Sequence, residues 1–268
     1  MAGMKQLIVL AAGLPLVAPL MAGEKSGHAE AEVLAGVESY QPGKAVPVAV
    51  KLKIEPGWHS YWINPGVGGM PLKATWSLPG GWTAGELRQP VPKRFMTGDL
   101  PGFGYEGEAV YLVDLLPPSG ATGEAECKLE LAWLTCNESS CVPGDVSLSL
   151  SLPQGDAKAG AAATVIAEAR RKIPEPKELG FKVVENGDSL SLMFLDADGI
   201  DLAGVSAFPA TPDVVDPSDP IKIGRTRDAW TAVVKKSEYA DGPATLLEVV
   251  LAGGKLDRPV LVSWRADK

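Results

Sequence analysis

Two β-sandwiches joined by a short helix are what this 268-residue sequence predicts, and three observations predict them. Short runs of alternating apolar and polar residues recur at close spacing. Thirty glycines and 23 prolines punctuate those runs with turns. One alanine- and glutamate-rich stretch with few β-branched residues falls between two such series.

The first 23 residues read as an export signal. Met1–Lys5 supplies a short positive region, and QLIVLAAGLPLVAPLMAG supplies an apolar core broken by Pro15 and Pro19. Ala22 and Gly23 mark the cleavage site. No later stretch approaches the roughly 18 apolar residues of a membrane span. The expected mature chain is periplasmic, with no span of its own.

Residues 24 to about 35 look polar and irregular. Then KAVPVAVKLKI (44–54) alternates, with Val46, Val48, Val50, Leu52 and Ile54 on one face. LKATWSL (72–78), EAVYLVDLL (108–116), CKLELAWL (127–134) and VSLSLSL (146–152) are further strands, separated by PGG (79–81), PPSG (117–120) and PG (143–144). Residues 92–112 read as a long glycine-rich loop carrying Phe95, Phe103 and Tyr105. AKAGAAATVIAEARRK (157–172) reads as a helix stopped by Pro174 and Pro176. FKVVENGDSLSLMFL (181–195) holds a hairpin around Asn186-Gly187, a type I′ signal, with Leu190, Leu192 and Phe194 on one face. AWTAVVKK (229–236), ATLLEVVLA (244–252) and RPVLVSWRA (258–266) complete the second series. The expected divisions are 24–155, a linker over 156–176, and 177–268.

The net charge of −8 lacks any lysine or arginine cluster, so nucleic acid is not an expected partner. The mature chain has three cysteines. Cys127 shares parity with Leu129, Leu131 and Trp133, which makes it a buried, inert thiol. Cys136 and Cys141 flank four polar residues in LTCNESSCVPG. A bond between them closes so small a loop that chain entropy yields only about 2 kcal/mol. An exported chain permits either a structural disulfide or a redox-active pair. A thioredoxin-type site is excluded, because that motif is C-x-x-C opening a helix and here Pro143-Gly144 and a strand follow. Zinc fits poorly, since only His28 and His59 accompany the thiols. Copper would need the cysteines with His59, Met70 or Met96, and no tight Met/His cluster supports it. In EPGWHSYWINPGVGG (55–69), His59 and Tyr61 share the face opposite Trp58, Ser60 and Trp62. His59 there is either a solvated bystander or a group that stabilises a thiolate at Cys136.

GWHSYWINPG, then PKRF and FGYEGEAV, then LAWLTCNESSCVPGDVSLSL resembles the periplasmic N-terminal domain of the disulfide reductase family DsbD, on the branch that includes the copper-sensitivity suppressor ScsB. The resemblance covers residues 38–152, and LMFLDADGIDLAGVSAFPA (192–210) resembles the second half of the ScsB-type region. It implies an immunoglobulin-like sandwich whose cysteine pair passes electrons from a membrane-embedded donor to periplasmic thioredoxin-fold proteins, with no cofactor. Cys136 and Cys141 would be the exchanging pair, Cys141 facing the partner. His59 and Tyr61 would be the aromatic residues beside them, and Phe103 would lie near the segment that caps the pair, with Tyr105 on the same loop as a further supporting residue. Family proteins continue into a multi-span membrane domain and a thioredoxin domain. This sequence ends at Lys268, so the expected donor is a separate multi-span membrane protein. The competing expectation is a non-catalytic protein-binding module with a structural disulfide.

Overall fold

The computed structural model describes residues 23–195 and 199–266, so the expected export signal lies outside the described residues apart from Gly23. Among the described residues strands dominate the regular structure, with one short helix. In chain order the first sandwich contains β1 (Glu24–Ser26), β2 (Ala29–Ala35), β3 (Val46–Ile54), β4 (His59–Gly66), β5 (Lys73–Ser77), β6 (Thr83–Ala84), β7 (Lys93–Thr97), β8 (Leu100–Glu106), β9 (Glu108–Leu116), β10 (Ala125–Cys136) and β11 (Cys141–Leu152). One sheet runs β1-β2-β3-β9-β6. The other runs β11-β10-β4-β8-β7, with β5 also paired to β10.

Alternation decides which side chains enter the core. Val46, Val48, Val50, Leu52 and Ile54 of β3 are all buried, as their shared parity requires. They pack with Tyr111, Val113 and Leu115 of β9 and with Cys127, Leu129, Leu131 and Trp133 of β10. Two expectations are corrected. Residues 24–35 form β1 and β2, where Ala29, Ala31 and Val33 bury against β3. Alanine is a weak strand former, so the pairing comes from the sheet rather than from propensity. Cross-strand charge pairing adds to it, with Lys51 Nζ 3.1 Å from Glu32. The stretch 92–112 is no open loop: it is the hairpin β7–β8 followed by β9.

The helix is shorter than the sequence predicts: α1 spans Ala163–Arg170. Its Ile166 and Ala169 bury with Ile173 against Ala49 of β3 and Leu112 of β9, on the outer face of the first sheet. Thus α1 covers a face that alternation alone would leave in water.

The second sandwich follows with β12 (Glu175–Pro176), β13 (Gly180–Asn186), β14 (Ser189–Leu195), β15 (Val205–Pro209), β16 (Gly224–Arg225), β17 (Ala229–Lys235), β18 (Leu246–Gly253) and β19 (Val260–Arg265). Its sheets run β12-β19-β18-β15 and β13-β14-β17-β16. Leu190, Leu192 and Phe194 meet Leu247, Val249, Leu251 and Val262 in its core. The β13–β14 hairpin is present, but with Asn186 opposite Ser189 the central residues are Gly187 and Asp188. Only Gly187 has positive φ, at 59°, which is the pattern of a II′ turn and not the expected I′.

The two sandwiches are packed together. Phe208, Ala210 and Val250 of the second belong to the core of the first. Phe208 meets Phe103 edge to face at 6.2 Å, and Asn64 Nδ2 donates to the Pro209 carbonyl at 2.8 Å. Arg94 donates to the Pro217 carbonyl and lies 5.1 Å from the Phe103 ring centre.

Candidate functional site

The β10–β11 hairpin ends in a disulfide between Cys136 and Cys141, which oppose each other in register with Cα atoms 4.1 Å apart. The four residues between them are held independently of the bond. Asn137 Oδ1 accepts from the backbone N–H groups of Ser139 and Ser140 at 2.9 and 2.8 Å, and the Asn137 N–H donates to the Ser140 carbonyl at 2.9 Å. An asparagine closing its own loop in this way is ordinary turn chemistry. The two cysteines differ sharply in environment: Cys136 is fully buried, whereas Cys141 is exposed.

Register extends this pair into a row. Cys141 opposes Cys136, Cys136 opposes His59 on β4, and His59 opposes Glu106 on β8. Directly opposed residues project from the same sheet face with Cβ atoms about 5 Å apart, so the four side chains stand side by side. That face is the outer one, away from the core packed by Trp62, Phe103 and Trp133.

The β7–β8 hairpin roofs the row. Phe95 and Thr97 share parity on β7, and both reach β4. The Phe95 ring lies 3.8 Å from the His59 ring, centre to centre. Thr97 Oγ1 sits 2.9 Å from His59 Nε2 and 3.3 Å from the Tyr61 hydroxyl. Phe95 can cross β8 because β8 presents glycines there: a Cβ on Gly102 would meet the Phe95 ring at 2.8 Å. Burial pushes the His59 imidazole below its ordinary pKa, with the Glu106 carboxylate opposing that shift. Burial raises the Tyr61 phenol, and its bond to Thr97 opposes the rise.

Residues 30–153 match the family "Thiol:disulfide interchange protein DsbD, N-terminal". The match begins within β2 and ends one residue past β11, so it covers all of the first sandwich but β1 and the start of β2. Among solved structures, the N-terminal periplasmic domain of ScsB from Proteus mirabilis aligns with a TM-score of 0.67 at 19% identity, over 89% of this chain and 93% of that one. The fold of both sandwiches is therefore the fold of that domain. A conserved domain protein from Bacillus anthracis aligns over 92% of this chain and 89% of its own at 11% identity, with a TM-score of only 0.27. No curated protein sequence matches.

Within the DsbD N-terminal-like sandwich, the structure gathers four of the six residues singled out by sequence. Cys136, Cys141, His59 and Tyr61 share the outer face. Phe103 and Tyr105 have the opposite parity on β8 and lie in the core. Phe103 packs on Trp62 and Phe208. The Tyr105 hydroxyl donates to the Pro90 carbonyl at 2.8 Å, and its ring meets Tyr111. Phe95, Thr97 and Glu106 take the places beside His59. The signal for them is the K-x-F-x-T alternation of β7 set against glycines at 102 and 104. Cys127 is buried in the core and its thiol is pushed up to about 11. Met96 projects from β7 on the side away from His59, so those two do not converge. Among the described residues, no three of the His, Cys, Asp and Glu side chains are grouped to hold a metal ion, and no helix is long and apolar enough to cross a membrane.

Proposed function

We propose that this protein exchanges disulfides with other proteins in the periplasm through Cys136 and Cys141, taking electrons from a separate membrane donor and passing them to thioredoxin-fold acceptors. The observation that carries this reading is the unequal exposure of two bonded sulfurs: one open to attack, one sheltered beside a histidine. The DsbD family match over the same sandwich supports it. So does the loop, which Asn137 closes without help, leaving a staple there little to constrain.

The chemistry follows from which sulfur is reachable. A donor thiolate attacks Cys141 Sγ, the bond to Cys136 breaks, and its electron pair and a proton settle on Cys136. The donor's second thiolate then displaces Cys141, so the pair gains two electrons and two protons while the donor gains a disulfide. In the forward step, Cys141 thiolate attacks an acceptor disulfide and Cys136 resolves the mixed species. No cofactor enters either half.

Trapping tests this directly. Cys136→Ala keeps the exposed thiol and removes the resolving one. It is expected to accumulate a dithiothreitol-sensitive adduct with thioredoxin-fold proteins of a periplasmic extract, and Cys141→Ala is expected to form none. Equal capture of the same proteins by Cys136→Ala and by a variant lacking both cysteines would mean a binding module. A reduction potential near about −200 mV fits exchange, whereas one below about −300 mV fits a structural bond.

A further inference from the structure

The row Cys141–Cys136–His59–Glu106 continues past the sulfurs, and its outer half has no role in the exchange steps above. We propose that His59 is the proton acceptor and donor for Cys136, and that Glu106, opposite it on β8, is the residue whose charge favours the imidazolium. This inference rests on the exchange reading. Its physical basis is the order of the row. A sheltered thiol is a poor nucleophile until its proton leaves, and water has little access to Cys136, which is fully buried. The nearest base by register is His59 on the adjoining strand. Its Nε2 is engaged by Thr97 Oγ1 at 2.9 Å, which leaves Nδ1 for the sulfur.

The groups around the imidazole are few. Cys136 faces it from β10 and Glu106 from β8. From β7 come Thr97, Phe95 and Lys93, whose ammonium lies 3.7 Å from Glu106. Tyr61 adjoins it on β4, with ring centres 5.4 Å apart. Glu106 is the one carboxylate in this set, and its charge favours the imidazolium that forms when His59 takes the proton. Burial under Phe95 keeps the ring neutral beforehand, ready to accept. The cation thus exists mainly while the thiolate is being made or quenched.

In the resolving step, Cys136 Sγ attacks Cys141 Sγ in the mixed disulfide. The Cys136–Cys141 bond forms, the bond from Cys141 to the partner sulfur breaks, and its electron pair leaves with the partner. The Cys136 proton passes to His59. Reduction runs the same path backwards, with His59 returning the proton to Cys136.

A chromogenic disulfide isolates this step. When 5,5′-dithiobis(2-nitrobenzoate) is mixed with the reduced protein, the exposed Cys141 releases one thionitrobenzoate. Attack by Cys136 then releases a second. In the native protein the second phase is expected to switch on with a midpoint below the ordinary histidine value. Glu106→Gln should move that midpoint down by roughly half a pH unit and slow the plateau about two- to threefold. The first phase should be unchanged, and Glu106→Asp should recover part of the loss. His59→Gln should erase the acid limb, so that the rate rises only with ionisation of the thiol itself at alkaline pH and is at least tenfold slower at neutrality. If His59→Gln fails to fold, the exposed Glu106 still carries the test. A second phase whose pH profile in Glu106→Gln superimposes on the native one overturns the proton-transfer row and leaves exchange standing. Absence of any second release from the native protein brings down both.

Discussion

His59 is a titratable ring under an aromatic roof, and that placement has a cost that depends on pH. Unfolded, its imidazole titrates near about 6.5. Folded, burial holds it lower. As pH falls through 6.5, the unfolded chain takes up a proton that the native ring still refuses, so the native state loses stability until pH passes the depressed folded value. Above 6.5 both states are neutral and the contribution is fully present. The urea midpoint is therefore expected to fall as pH is lowered from about 7.5 through 6.5 and below, and His59→Gln should remove that part of the slope. Phe95→Ala, which opens the ring to water, should make the slope shallower. Identical slopes in native protein and His59→Gln would mean that the ring is not held neutral in the fold. Cys127 shows the opposite use of burial: its thiol, pushed up to about 11, lies in the core near the other end of β10 from Cys136.

Among the elements, the β7–β8 hairpin gives the site its roof, and glycine permits its position. Gly104 opposes Tyr61 on β4, and a Cβ there would stand 1.9 Å from the Ser60 carbonyl oxygen, which is backbone and cannot swing aside. Gly104→Ala is expected to lower stability by about 3 kcal/mol in denaturant titration. Gly102→Ala meets the movable Phe95 ring first, at 2.8 Å, and the Pro65 carbonyl oxygen only at 3.1 Å, so it should cost less and unseat Phe95 from His59. Equal costs at the two positions would contradict this account. These glycines also explain what the sequence conceals. Strands such as β3, β9 and β10 are legible because branched and aromatic residues alternate over nine or more positions. In 92–112 the same alternation is carried by glycines on one face, and glycine reads as a loop. The cysteine hairpin is legible from its spacing and turn residues. The row from Cys136 to Glu106 is not, because it depends on register between strands 47 to 77 residues apart in sequence, which no local pattern encodes.

Across the whole molecule, the cysteine-bearing sandwich completes its core with residues from the other one. Nothing in SAFPA (206–210) separates a side chain facing its own sandwich from one facing a neighbour, so this joint was not legible in the sequence. The structure sends Phe208 into the first core, against the Phe103 ring that Arg94 also overlies. Arg94 sits on β7 between Lys93 and Phe95, so the strand that roofs His59 is also the strand that grips the second sandwich. The roof and the joint are thereby mechanically linked, which gives the cysteine-free second sandwich a role as brace. Phe208→Ala removes a ring that is 8% exposed and should lower stability by about 3 kcal/mol. Its more telling effect is on cooperativity. With the shared core intact, calorimetry of the full chain should show one coupled transition. With Phe208 truncated, the endotherm should broaden or split, and Phe95 should report weaker shielding of His59 through a histidine NMR titration shifted toward 6.5. A variant that loses stability but keeps one transition and an unmoved His59 titration would show that the two sandwiches share a boundary without sharing mechanics.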